Sequence, residues 1–339
     1  MTEDTIKFEG QVYVRKLKAQ ELGYRSGSPH GGGRYFYISK SSTPYFPPLS
    51  DTITNDHLLL NIIPSFNDDI VLTKYVYHND KFTVDGGTRD EYRLYLNSKL
   101  DPRGELFKPD DIVLIVKLFS EDDLMYKLIR LTSSSRDYIK IKSILNTYDS
   151  RNESHALISI SKLTFVEQLR KIKIGERVIP KEIIEESFNE PIHTNQPLYA
   201  EQHGTTIIRS RSFRDLVLYF YNYRCAITGN KILINYKDFN NLEAAHIWAH
   251  SAGGGSNPSN GIAMERNLHW AFDKGFFTIN FVNGNYHLQV HEKALSIPYL
   301  AEKNAMKITI HEDSRSRPNL ESLAWHKRNV FGLFLKVEV

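Results

Sequence analysis

Between about residue 8 and residue 145 the hydrophobic positions fall in short alternating or continuous runs, "GRYFYIS", "EYRLYLNS", "DIVLIVKLF" and "YKLIRL", separated by Gly, Pro, Asp and Ser clusters. A period of two turns one side of a strand toward a core, and turn residues at short intervals interrupt helices, so a mostly β domain is expected here. The pattern changes at "NTYDSRNESHA". Beyond it, "KLTFVEQLRKI" and "PKEIIEESF" predict helices with polar outer faces, and the irregular "NEPIHTNQPLYAEQHGTT" follows. "SFRDLVLYFYNY" predicts a helix with Ser212 as its cap, leading into "RCAITGN", a turn closing on Gly229. The expected organisation is an α+β chain with a β domain over 1–149, a partly helical connector over 150–205 and a second domain over 206–339. No internal repeat or low-complexity tract interrupts it.

Within the second domain, residues 242–280 read as a strand, loop and helix. "LEAAHI" predicts a short strand, "SAGGGSNPSN" a flexible loop, "NLHWAFDKG" one to two turns of helix ending at Gly275, and "FFTINF" a returning strand. His269 and Asp273 are four residues apart on that helix, so an imidazole and a carboxylate share one face and can share one cation. His246, at the strand end, can face them. Neutral imidazole titrates near pH 7 and can take a proton from water, while a cation offsets phosphoryl charge better than any hydroxyl or amide. Taken singly, each of these residues is more simply a solvated face or a cap; their order and spacing carry the chemistry.

Composition narrows the class. With 41% hydrophobic and 24% charged residues over 339 positions, the chain is globular and long enough for two cores. A single cysteine, Cys225, excludes a disulfide framework or a four-thiolate zinc knuckle and points to a reducing, cytoplasmic setting. The N-terminus has no basic region followed by an apolar stretch, and no apolar run is long enough to span a bilayer, so no membrane partner is expected. A net charge of +3 is too small to argue for nucleic acid, which must be argued from local sites. Two segments offer such sites. Residues 14–49 combine basic residues, a Gly-rich break and aromatic strands, a loop that can approach phosphates or simply be a surface loop. In residues 86–115, alternation sets Glu91, Arg93 and Tyr95 on one strand face, where Glu and Arg can read cytosine and guanine edges or form an exposed ion pair.

The order His246, Asn260, His269 within "LEAAHI" and "LHWAFDKGFFTI", with the turn "CAITG" and the tail "LAWHKRNVF", resembles the HNH nucleases over roughly 206–335. The resemblance implies a ββα-metal fold in which His246 is the general base, Asn260 pins the loop and orients the histidine, and His269 with Asp273 holds one divalent cation, Mg²⁺ or Mn²⁺. His246, Asn260 and His269 are thus the catalytic set. Two positions depart from the pattern. Ala245 stands where many relatives have a further metal ligand, for which Glu243 on the same strand face can substitute, and Thr228 stands where zinc-stapled relatives have a cysteine. A structural zinc is therefore not expected, Cys225 reads as a packed thiol, and His250, His287 and His291 remain as spare donors.

Over about 10–140 the chain resembles the EcoRII-type N-terminal effector domain, a DNA-binding pseudobarrel, through "KLKAQELGYRSGSPHGGGRYFYISK", "YFPPL" and "EYRLYLNSKLDPRGELFKPDDIVLI". That resemblance implies two arms clamping the major groove, one carrying Arg25, His30, Arg34 and Tyr35, the other Glu91, Arg93 and Asn97. Together the resemblances imply a type II restriction endonuclease acting on double-stranded DNA as a homodimer, with a cognate methyltransferase as genetic partner. A methylcytosine-dependent endonuclease and a DNA-binding regulator with an inactive HNH domain are the alternatives. The apolar tail "LAWHKRNVFGLFLKVEV" reads as a final helix and strand.

Overall fold

A computed structural model of the chain describes residues 7–25, 28–29, 33–120, 123–148, 154–164, 169, 172, 174–193, 203–231 and 241–336. The chain divides into two compact units, Met1–Ile183 with Gln202–Ile208, and Ile184–Glu201 with Arg209–Val339. It is a mixed α+β protein.

The first unit is built on one large, mainly antiparallel sheet, curled into a half-barrel. Its strands are β1 (Lys7–Phe8), β2 (Gln11–Lys16), β5 (Tyr35–Ile38), β6 (His57–Ile63), β7 (Ile70–His78), β8 (Glu91–Tyr95), β9 (Ile112–Ser120), β10 (Asp123–Leu131), β11 (His155–Ser159) and β12 (Arg177–Val178), with the small hairpin β3 (Tyr24–Arg25) and β4 (Ser28–Pro29) apart from it. The order across the sheet is β11-β2-β9-β10-β6-β7-β8-β5. β10 runs parallel to β6, whereas β9–β10, β2–β9 and β7–β8 are antiparallel. The middle strands are apolar on both sides because both faces are covered. Along β9, Ile112, Leu114, Val116 and Leu118 join one core with Tyr138, Ile141 and Leu145 of helix α2 (Tyr138–Tyr148), while Val113 and Ile115 join another with Phe36, Tyr75 and Phe107. Residues 155–159, past the change of composition, pair with β2. Most of "KLTFVEQLRKI" lies outside the described residues, and "PKEIIEESF" contains helix α3 (Lys181–Ser187).

The second unit contains the ribbon β13 (Leu242–His246) with β14 (Gly261–Glu265), the ribbon β15 (Phe277–Val282) with β16 (Asn285–Val290), helix α4 (His203–Phe220) from residue 209 onward, and helices α5 (Arg266–Asp273) and α7 (Leu320–Asn329), with the short α6 (Pro298–Ala301) before α7. Three expectations change here. α4 begins well before Ser212, so that residue is inside the helix rather than at its N-cap. The partner of β13 is "GIAME", a run of buried residues that the sequence pattern did not single out, whereas "FFTINF" pairs forward with β16. After α7 the chain forms a 3-10 turn, Leu333–Lys336, rather than a strand. Among the described residues no helix is long and apolar enough to cross a membrane.

Candidate active site

The register of the first ribbon sets the geometry of the site. His246 pairs with Gly261, and a side chain at 261 would meet Val217 and Phe213 of α4, its Cβ only 2.3 Å from a Val217 methyl. The glycine thus lets helix and ribbon touch. Phe213 uses the space to lie flat on the His246 ring, 3.9 Å between centroids and 14° between planes. Enclosure by Phe213 and the core leaves His246 Nε2 buried with no hydrogen-bond partner among the described residues. Burial, reinforced by the charges of His250 and His269, pushes the imidazole down to about 3, so the ring is neutral near pH 7.

Asn260 is fully buried, and its side chain is consumed by main chain. Its Oδ1 accepts from Trp248 N (2.9 Å), and its Nδ2 donates to Trp248 O and Gly255 O (both 3.1 Å). It therefore positions His246 through the backbone two residues on. The glycine-rich loop is tightly held, contrary to the expectation of flexibility. A Cβ at Gly254 would sit 1.8 Å from Trp248 O and one at Gly255 1.9 Å from Pro191 O, so these glycines serve close packing. Asn257 adds bonds to Phe188 O and Glu190 O.

On α5, His269 and Asp273 do share a face: His269 Nε2 lies 3.4 Å from Asp273 Oδ2. Gly275, with φ of 75°, ends the helix as expected. The other ring nitrogen, Nδ1, is 2.7 Å from Glu243 Oε2, and Arg266 Nε donates to Glu243 Oε1 at 2.8 Å. Burial raises the Glu243 carboxyl, but the bonds from His269 and Arg266 outweigh it and hold the group below the usual carboxylate range. Ala245 is fully buried in the hydrophobic core opposite Ile262, so its position serves packing. Thr228 donates its hydroxyl to Glu265 Oε1 (2.6 Å), which ties the "CAITG" turn to the end of β14, and Cys225 is packed in the core.

Do these groups fit a divalent cation? Among the described residues no three His, Cys, Asp or Glu side chains converge as a cage. Two donors do: bonds of about 2.1 Å to one cation place their atoms about 3.0–3.4 Å apart, the separation seen between His269 Nε2 and Asp273 Oδ2. A magnesium-like ion commonly takes one or two protein ligands and completes its shell with water and phosphate oxygens. The residues present fit such an ion.

The N-terminal candidates separate into two groups. Arg34 is bound inside the fold, Nε to Asp101 Oδ2 (2.5 Å), Nη1 to Leu22 O (2.7 Å) and Nη2 to Phe107 O (2.8 Å), and Asn97 closes its own turn while donating to Leu72 O. Neither is free to reach DNA. Glu91 and Arg93 form an ion pair, with the Arg93 guanidinium 4.1 Å above the largely buried Tyr35 ring. Nη1 of Arg93 approaches the Tyr95 hydroxyl, which donates to His78 Nε2 (2.8 Å), and His78 Nδ1 meets Asn55 Oδ1 (2.9 Å). Arg93 Nε is buried without a hydrogen-bond partner among the described residues. His30 and the side chain of Arg25 lie outside the described residues. Sequence reasoning missed Phe213, Gly261 and Arg266. The first two are distant in sequence from the motif or lack a side chain, and only Arg266, three residues from His269, carried a signal.

Residues 225–280 match the family described as HNH endonuclease. No curated protein matches the chain. Among solved structures, a modification-dependent TagI restriction endonuclease is similar at 13% identity and a TM-score of 0.28, over 76% of this chain; the match spans 62% of that structure's length. The second unit thus contains an HNH endonuclease domain, the part of a nuclease that cuts, and HNH nucleases generally use a divalent metal ion.

Proposed function

We propose that the chain is a type II restriction endonuclease that hydrolyses phosphodiester bonds of double-stranded DNA, with an N-terminal pseudobarrel-type reader and a one-metal HNH site. The observation that supports this reading most directly is the pairing of His269 Nε2 with Asp273 Oδ2 on one helix face, within electrostatic reach of the His246 ring, whose Nε2 has no hydrogen-bond partner among the described residues, inside the segment that matches the HNH family. His269 and Asp273 would hold the cation, which when bound offsets phosphate charge and stabilises the departing oxygen. His246 accepts the proton of the attacking water. Its neutral ring is ready to do so, and an anionic phosphate beside it favours the protonated form. Asn260 keeps the backbone at Trp248 fixed so that the His246 ring stays under Phe213. On the N-terminal sheet, Arg93 and Glu91 are the side chains proposed to meet base edges.

One site of this kind cuts one strand, so a duplex break calls for two copies related by a two-fold axis, matching a palindromic target. Protection of the host's own DNA then calls for a methyltransferase encoded alongside. The test is incubation with unmodified and methylcytosine-containing DNA in Mg²⁺ or Mn²⁺, followed by sequencing of fragment ends. Discrete ends on unmodified DNA, abolished by chelation and restored by added metal, are expected. Cleavage confined to methylated DNA would replace the reader's assignment with a modification-dependent one, and binding without any metal-dependent cleavage would overturn the enzyme reading.

A further inference from the structure

Glu243 lies where a third metal ligand would be welcome, yet its hydrogen bonds assign it another task. A carboxylate oxygen only accepts, so the 2.7 Å contact between Glu243 Oε2 and His269 Nδ1 requires the proton of the neutral ring to sit on Nδ1. The lone pair is then on Nε2, the nitrogen 3.4 Å from Asp273. The remaining Glu243 oxygen is held by Arg266 Nε, which keeps the carboxylate turned toward the ring's far side. Of the two carboxylates beside His269, Glu243 decides between its nitrogens, since Asp273 is the longer contact and lies four residues along the same helix.

We infer that Glu243 is the positioning residue of the cation site, fixing His269 as the Nδ1–H tautomer so that Nε2 is presented beside Asp273, with Arg266 locking the carboxylate in that role. This rests on the one-metal reading above. Carboxylates placed behind a ligating histidine fix its tautomer and orientation and raise its donor strength, and losing one typically weakens metal binding about 10–100-fold. The arrangement also explains how the site does without a carboxylate at Ala245. The cation has two protein donors rather than three, and the carboxylate that sequence position suggested as a substitute acts through the histidine.

The test uses the full chain, labelled with ¹⁵N-histidine, as wild type, Glu243→Gln and Glu243→Ala. Nitrogen shifts of His269 are read without metal at a pH where the ring is neutral, and Mn²⁺ is then titrated with calorimetry and water-proton relaxation. The expected result is an Nδ1–H ring in the wild type and in Glu243→Gln, whose amide oxygen can still accept. Glu243→Ala should shift the ring toward Nε2–H and weaken Mn²⁺ binding by about 10–100-fold, with the number of metal-bound waters unchanged. An unchanged tautomer in Glu243→Ala, Mn²⁺ affinity within twofold of wild type, or one additional bound water in that variant would each overturn the assignment, the last by making Glu243 a direct ligand. Wild-type protein that takes up no Mn²⁺ would overturn the one-metal reading and this role with it. The tautomer measurement tells that failure apart from an error about Glu243 alone.

Discussion

In the N-terminal unit Arg34 satisfies its three nitrogens on Asp101, Leu22 and Phe107, and the Lys127 ammonium, also enclosed, reaches Pro64 O, Asn67 O and Asp68. In the C-terminal unit His246, pressed under Phe213, leaves Nε2 with no hydrogen-bond partner among the described residues. Burying a polar group without a hydrogen bond costs about 1–3 kcal/mol, so a fold tolerates it where something else is gained. Arg34 and Lys127 are spent on holding the large sheet together; the His246 nitrogen is the one that the proposed mechanism puts to use. Among the described residues of the first unit two atoms meet the same criterion, the Tyr75 hydroxyl inside the aromatic core and Arg93 Nε, so of the DNA-contact candidates it keeps Arg93 and passes over Arg34. The contrast therefore sorts residues that sequence alone had grouped together.

The contrast is most severely tested at His246. His246→Ala is expected to lower cleavage by about 10²–10⁴-fold or more while DNA binding stays near wild type, and the unfolding midpoint should fall because the ring packed on Phe213 is lost. Comparable cleavage by the variant in single-turnover assays would remove the residue from the chemistry. Arg34→Ala should act in the opposite sense. It takes the charge partner from the almost fully enclosed Asp101 carboxylate, which keeps the Leu106 and Phe107 amides, and should cost about 3 kcal/mol of stability as read by urea unfolding. A stable Arg34→Ala protein that had lost only DNA binding would break the comparison.

Acidification sharpens it next, because each unit contains a histidine that burial holds neutral. His326 is pushed down to about 4 by burial, despite its bond to Phe272 O, and packs flat on the Phe272 ring. His78 is pushed to about 4 by burial and the charges of Arg89 and Arg93. Against an ordinary value of 6.5, the unfolded chain takes up protons first, so acid favours unfolding. The stability these rings contribute is complete above about 6.5, falls as the pH drops and is gone below about 4. Unfolding midpoints followed across that window should fall, and His326→Gln should flatten the dependence in the C-terminal unit alone. An equal slope in the variant would assign it to other groups.

The smallest expected effect concerns Arg93. Its ion pair with Glu91 and its position over Tyr35 are partly exposed, so Arg93→Ala should cost about 1 kcal/mol of stability or less. If the side chain reads a base edge, cognate binding should lose about 1–3 kcal/mol with little change on random DNA. Equal losses on both DNAs would make it a phosphate contact.

What was legible from the sequence was local. The alternation in "EYRLYLNS" and the short apolar run "DIVLIVKLF" marked strands, the first because neighbouring side chains alternate between faces and the second because both faces are covered, and the four-residue step from His269 to Asp273 placed both on one side of α5 because a helix repeats every 3.6 residues. Gly275 ended that helix for an equally local reason, a backbone angle that a Cβ disfavours. The pairing of β13 with "GIAME", the stacking of Phe213 on His246 through the space left by Gly261, and the division of Arg34 from Arg93 were decided only in three dimensions. Each depends on which distant segment fills the neighbouring volume, and a pattern of apolar and polar positions shows that a face is buried without showing what buries it. The same holds for Glu243: the sequence placed a carboxylate near the site, and the packing of Arg266 and His269 against its two oxygens decided which atom of the histidine it leaves free.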